Sequence, residues 1–238
     1  MAPLSVKSFM RDIQRHELIV LRDDGVYRHI LVKAPGTSCM HFNIVTFPGY
    51  LVYTGDMGAY TFTRIRDMFE FFRPRKRGFG GINPQYWAEK LTATNCHGEH
   101  CSYGAAEWSD DRFKEVIKER FEEHFAELYP GKDADEQERI NFEAMKVDAW
   151  EQVEDDFFGS DDLQHEGFRI ASDFLHEESG LTFPELWNHR FTEYSHSFLW
   201  ACYAITWAIE KFDQRPEVPA AITWARDSEG SPVEVKHG

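Results

Sequence analysis

The chain is short of the features that staple, anchor or export a protein. Its four cysteines, Cys39, Cys96, Cys101 and Cys202, are scattered over 238 residues without the rhythm of a disulfide framework, and no Asn-x-Ser/Thr sequon occurs. Both absences point to a reducing compartment. The opening stretch, MAPLSVKSFMRDIQRHE, holds no apolar segment, so no signal peptide is expected. The longest nearly apolar run, residues 198–209, is too short to span a bilayer, so no membrane association is expected either. No Gly-x-Ser-x-Gly elbow, His-Glu-x-x-His pair, Walker loop, Rossmann glycine pattern or internal repeat is present. No spacing therefore directs the reading toward an enzyme.

Apolar and aromatic residues, by contrast, are plentiful. Hydrophobic residues make up 42% of the chain and aromatics 15%, with 20 phenylalanines and 7 tryptophans. That content builds an ordered core without disulfides or metals. The net charge is −15, and it is unevenly placed. Residues 105–187 carry 25 acids and 8 bases, whereas the rest carries 16 acids and 18 bases. Such a field disfavours direct nucleic-acid binding and favours basic partners.

Residues 6–15 read as a short helix. Residues 17–21 (ELIVL) and 26–33 (VYRHILVK) flank Asp23-Asp24-Gly25, a hairpin signal because glycine accepts positive φ at low cost. Residues 40–47, 50–54 and 59–63 follow, separated by Pro48-Gly49 and by Gly55-Asp56-Met57-Gly58. Links this short exclude parallel crossovers and predict a meander. Ile65, Met68, Phe69 and Phe72 then fall at helical spacing over residues 64–73, and Asn83-Pro84 opens another short helix over 84–91.

Downstream, Ser109 caps a helix whose apolar stripe is Phe113, Val116, Ile117, Phe121, Phe125 and Leu128. Further helices are predicted over 135–158, 160–178 and 197–212, with a capping box at Thr182 and Glu185 and a helical turn within 220–226. The expected class is α+β. An N-terminal antiparallel β-meander of about five strands with a covering helix (residues 1–92) precedes an acidic C-terminal helical region (93–238), the two forming one compact unit.

Four constellations invite chemistry. Cys96, His97, His100 and Cys101 are metal-capable side chains within six residues, but adjacent ligands from one loop suit tetrahedral zinc poorly, and the downstream Pro-Cys-x-x-Cys of zinc deaminases is missing. No metal or other cofactor is expected. The loop RPRKRGFGG carries Arg75, Lys76 and Arg77 beside glycines, a weak anion cradle whose plainer reading is a basic linker. Asp56 sits between glycines, where aspartate usually bonds its own turn, and Asp67 and Glu70 read as solvated charges. His189, Glu193 and His196 share a face only if the last helix begins early.

The segments DDGVYRHILVKAPGTSCMHFNIVTFPGYLVYTGDMGAYTFTRIRDMFEFFR, INPQYWAEKL and FLWACYAITWAIEKFD resemble a family of hypothetical proteins encoded by tailed phages and prophages. That family offers no activity, cofactor or catalytic residue to carry over. The resemblance implies a setting: an accessory protein made in the cytoplasm of an infected bacterium, of the kind that blunts host defence.

The expected function is accordingly a non-enzymatic inhibitor, anti-CRISPR-like in role, that binds a basic or nucleic-acid-binding host protein. Its acidic face would comprise Glu115, Glu119, Glu122, Glu123, Glu136, Asp155, Asp156, Asp161 and Asp162. The alternative is a nucleotide-sequestering protein using Tyr53, Tyr60, Arg64 and Arg66 with the basic loop at Arg75, Lys76 and Arg77. A phage enzyme with a dispersed site is the third option. Oligomeric state is not encoded in any pattern visible here.

Overall fold

A computed structural model of the chain describes residues 4–73, 82–94, 105–131, 134–159 and 162–216, with the backbone of strands at 223–226 and 232–235. The class is α+β. After helix α1 (Val6–Asp12), six strands follow: β1 (Glu17–Asp24), β2 (Tyr27–Lys33), β3 (Phe42–Phe47), β4 (Tyr50–Gly55), β5 (Gly58–Thr63) and β6 (Leu91–Thr94). They form one antiparallel sheet in the order β1-β2-β3-β4-β5-β6. The meander expected over the first five strands is present, with glycines at positive φ where the chain turns, Gly25 at +59° and Gly49 at +86°. A sixth strand is added where a helix was expected to run on to Leu91. That helix, α3 (Pro84–Ala88), stops early, and β-branched Thr92 instead donates to the Thr61 carbonyl at 3.2 Å.

Helix α2 (Met68–Phe72) is also shorter than its apolar spacing predicts, because Asp67 ends the preceding bend as its N-cap and accepts from Phe69 N–H. Helices α4 (Asp110–Leu128) and α5 (Glu136–Val153) come next, α4 capped by Ser109 as expected. The helix expected over 135–158 changes to a π-helical turn at Glu154–Phe158. The one expected over 160–178 reduces to a second π-helical turn at Leu163–Gly167 and the six-residue α6 (Phe168–Asp173).

The capping box expected at Thr182 and Glu185 is not formed. Glu185 adopts a left-handed φ of 57° ahead of a single 3₁₀ turn, Leu186–Asn188, and makes no side-chain cap. A two-stranded ribbon pairs β7 (Ala106–Trp108) with β8 (Thr192–Tyr194), and α7 (His196–Asp213) follows. Glu193 lies within β8 and His189 ahead of it, both outside α7, so those residues do not share a helical face with His196. At the C-terminal end, Thr223–Arg226 is strand β9 rather than a helical turn, paired antiparallel with β10 (Pro232–Val235).

The chain divides into two compact units that interleave in sequence. One comprises Leu4–Met57, Phe62–Asn83 and Trp200–Gly238; the other comprises Met1–Pro3, Gly58–Thr61 and Pro84–Leu199. In the first, alternate residues of the strands line the core: Ile30 and Val32 of β2, Phe42 and Ile44 of β3, Leu51 and Tyr53 of β4. Trp200 closes it, with its ring 5.1 Å from Phe9 and 5.7 Å from Phe42, and its Nε1–H donates to Asp12 at 3.3 Å. Gly55 is obligatory, since a Cβ there would overlap the His41 carbonyl oxygen and lie 2.7 Å from the Phe42 Cα.

The same unit encloses an ion pair. Arg28 donates twice to Asp67, at 2.8 and 2.9 Å, and lies over the Phe69 ring at 4.5 Å. Asp67 is therefore not the solvated charge its helical position implied. Burial raises its pKa, but the Arg28 hydrogen bond, the Phe69 N–H and the charges of Arg28 and Arg73 outweigh this and hold the carboxyl below its usual range.

The second unit is packed by rings. Phe113, Val116, Ile117, Phe121 and Phe125 of α4 are buried as the stripe predicts, although Leu128 at its end is exposed. Phe157, from the first π turn, meets Phe174 at 5.0 Å and Phe183 at 5.5 Å, both edge-on.

Candidate functional site

The two long helices of the ring-packed unit carry most of the acids foreseen as a binding face. Glu115, Glu119 and Glu123 on α4 are more than half exposed, as is Glu122, although Glu122 is held by Lys146 at 2.7 Å. Glu136 opens α5 in its first turn, and Asp155 and Asp156 are exposed in the π turn behind it. Asp162 caps the second π turn by accepting from His165 N–H at 3.1 Å, while Asp161 lies outside the described residues.

Missing from the sequence reading was a groove that one of them, Glu122, lines beside acids not foreseen. Phe121 of α4 and Trp150 of α5 stand 4.8 Å apart, edge to face, and with Val147 they line a cavity of about 470 Å³. Glu122, Glu143, Glu151 and Glu154 border it, together with Lys118 and with Lys146, whose ammonium sits 5.8 Å from the Phe121 ring centre. Two apolar residues of α5 are left in water: Ile140, 53% exposed, and Val147, 55% exposed. They are seven residues apart, two helical turns, and so share a face. The detectable signal was Ile140 and Val147 falling outside the set Phe142, Ala149 and Val153 that α5 buries.

The aromatic platform of the nucleotide alternative is not available. Tyr53 is 0% and Tyr60 4% exposed, because both point inward from alternating strand positions. Arg64 and Arg66 are exposed but have lost the rings they were to work with. Arg75, Lys76 and Arg77, and likewise Cys96, His97, His100 and Cys101, lie outside the described residues. Among the described residues no group of three or more His, Cys, Asp or Glu side chains is arranged to hold a metal. Burial pushes the Cys202 thiol up, so it is not a thiolate nucleophile. Asp56 does not bond its own turn: its carboxylate accepts from Met40 N–H at 2.6 Å and pairs with His41 at 2.9 Å.

One side-chain chain has the order of a hydrolytic relay. Buried His176 accepts at Nδ1 from the Ser179 hydroxyl (2.7 Å) and the Ser179 N–H (3.2 Å), which leaves the ring proton on Nε2, donated to Asp148 at 3.1 Å. The neighbouring amides are already engaged. Gly180 N–H donates to the His176 carbonyl at 2.8 Å, and Leu181 N–H to the Ser179 hydroxyl at 3.2 Å. With those donors committed, this turn has no oxyanion site of its own, and its chemistry is to hold a buried histidine and close a loop.

A second cavity, of about 360 Å³, opens where the β7–β8 ribbon meets the second π turn, and Trp108, Phe168 and Phe191 contribute its rings. Among the described residues no helix is long and apolar enough to cross a membrane. No known protein family, curated protein or solved structure matches the chain.

Proposed function

We propose that the protein is a phage-encoded accessory factor that binds a host protein through the α4–α5 groove and inhibits it. The observation that carries this reading is Val147, exposed on a groove floored by Phe121 and Trp150 and bordered by Glu143, Glu151 and Glu154, with exposed Ile140 two turns away on the same face of α5. Apolar anchors desolvated at the centre and charges at the rim are how protein interfaces divide affinity from steering. The complementary partner presents an apolar side chain flanked by lysine or arginine, as on a nucleic-acid-binding surface. The phage setting and the anti-defence role rest on the sequence resemblance alone.

The test compares tagged wild type with Glu143→Lys/Glu151→Lys and with Val147→Asp in affinity capture from bacterial lysate. One dominant basic protein, retained by wild type and lost with both variants and at raised salt, is the expected outcome. Capture indifferent to the reversed charges and to salt removes the reading. Circular dichroism of each variant separates a lost surface from a lost fold.

A further inference from the structure

We infer that the cavity at the β7–β8 ribbon binds a small planar ring carrying a single negative charge. This site is separate from the docking groove and stands on different residues. Three features built into the fold support it.

The first is a ring-lined slot. Phe191 is buried, and two half-buried rings lean on it, Trp108 at 5.4 Å and Phe168 at 5.9 Å. Trp108 is oriented by its own Nε1–H, which donates to Asp110 at 2.7 Å. Partly exposed faces of Trp108 and Phe168 on one cavity offer stacking area to a flat ligand.

The second is a set of unspent donors. Arg190 donates through Nε to Thr192 Oγ1 at 3.3 Å, which places its side chain on the Thr192 side of the ribbon, and it has no carboxylate partner among the described residues. Its terminal N–H groups remain for an anion, in the fork geometry that fits carboxylate or phosphate. His189 adds to this. Its Nε2 faces an Arg120 Nη2 donor at 2.9 Å, and since arginine only donates, Nε2 accepts and the proton resides on Nδ1. That Nδ1–H has no partner among the described residues, and the Gln164 amide, also on the cavity, has none either.

The third is the π-helical turn Leu163–Gly167, which carries Gln164 into the cavity wall. Such turns recur at functional sites because they displace side chains that a regular helix would keep on another face. Arg190 is the one arginine or lysine among the residues lining the cavity, and Glu107 lines it too, so the site fits one negative charge and disfavours polyphosphates. Two ligand sources share this chemistry: aromatic monocarboxylates and cyclic mononucleotides.

The experiment titrates the full-length protein calorimetrically with indole-3-acetate and with adenosine 3′,5′-cyclic monophosphate, using indole and adenosine as neutral controls. Saturable binding of at least one charged probe is expected. It should be at least tenfold weaker for its neutral control, and for Arg190→Gln or Phe168→Ala. Binding of only one probe identifies the ligand source. The inference is overturned if neither charged probe saturates by about 1 mM, the range of nonspecific contact. It is equally overturned if the neutral control binds as well, or if Arg190→Gln, folded by circular dichroism, binds unchanged. Should Arg190→Gln fail to fold, Arg190→Lys, which keeps the charge and loses the fork, must still weaken binding several-fold.

Discussion

The two units solve the same problem, a core of large rings, by different means. In the sheet unit the rings are placed by a hydrogen-bonded ladder and by directional polar contacts: Trp200 on Asp12, and Arg28 on Asp67 between the Phe69 and Phe212 rings. In the helical unit the rings mostly place one another, through edge-on contacts such as Phe157 with Phe174 and Phe183. The contrast teaches where specificity resides. The sheet unit tolerates little change at its polar joints, whereas the helical unit is sensitive to shape and free to carry whatever charge its surface needs.

The sharpest way to break the contrast is to remove a ring that only other rings hold. Phe157→Ala should cost about 4 kcal/mol of stability, read as a lowered urea midpoint at unchanged slope. In the sheet unit the comparable lesion is steric: Gly55→Ala should cost about 3 kcal/mol, since strand β4 must move off β3 to admit a methyl group. A smaller loss near Gly55 than at a surface glycine such as Gly131, where a Cβ meets nothing, would contradict the close approach.

The ion pair comes next. Arg28→Met or Asp67→Leu alone should each cost about 2 kcal/mol, given side chains only 11% and 24% exposed, while the double variant should cost less than the two combined. The pair also sets an acid limit. Pairing lowers the folded pKa of Asp67, so its contribution is complete above the unfolded value, near about 4, and is lost as pH falls through the folded value. Denaturation midpoints measured between pH 5 and pH 2 should therefore fall more steeply for wild type than for the double variant. The smallest effect is expected on the acidic surface: Glu143→Gln/Glu151→Gln should change stability by no more than about 0.5 kcal/mol, so that any loss of partner capture is a surface effect.

Much of the sheet could be read directly, because each of its first five strands alternates and is bounded by a glycine-bearing turn. Strand β6 could not, since four residues behind a short helix carry too little pattern to compete with the apolar Trp87 and Leu91. Asp67 was misjudged for a general reason: helical spacing reveals only neighbours three or four residues away, and its partner Arg28 is 39 residues distant. The acids were legible as composition, but the groove at Phe121 and Trp150 depends on how α4 and α5 meet. The second cavity draws on the stretches around 108, 164–168 and 188–192, and one of its walls is a π turn, which arises from tertiary packing and leaves no periodic trace.

The last helix has a consequence for how the protein comes into being. Trp200 reaches Asp12 across 188 residues, Arg215 binds Asp23 across 192, and Arg73 binds Asp213 across 140. The sheet is therefore translated early but cannot be finished until the chain beyond residue 200 has left the ribosome. At roughly 5–20 residues per second the strands wait on the order of ten seconds with their inner face uncovered. During that interval the nascent chain exposes Ile30, Phe42, Ile44 and Tyr53 together, which makes it a client for holding chaperones and sensitive to any pause in synthesis ahead of α7.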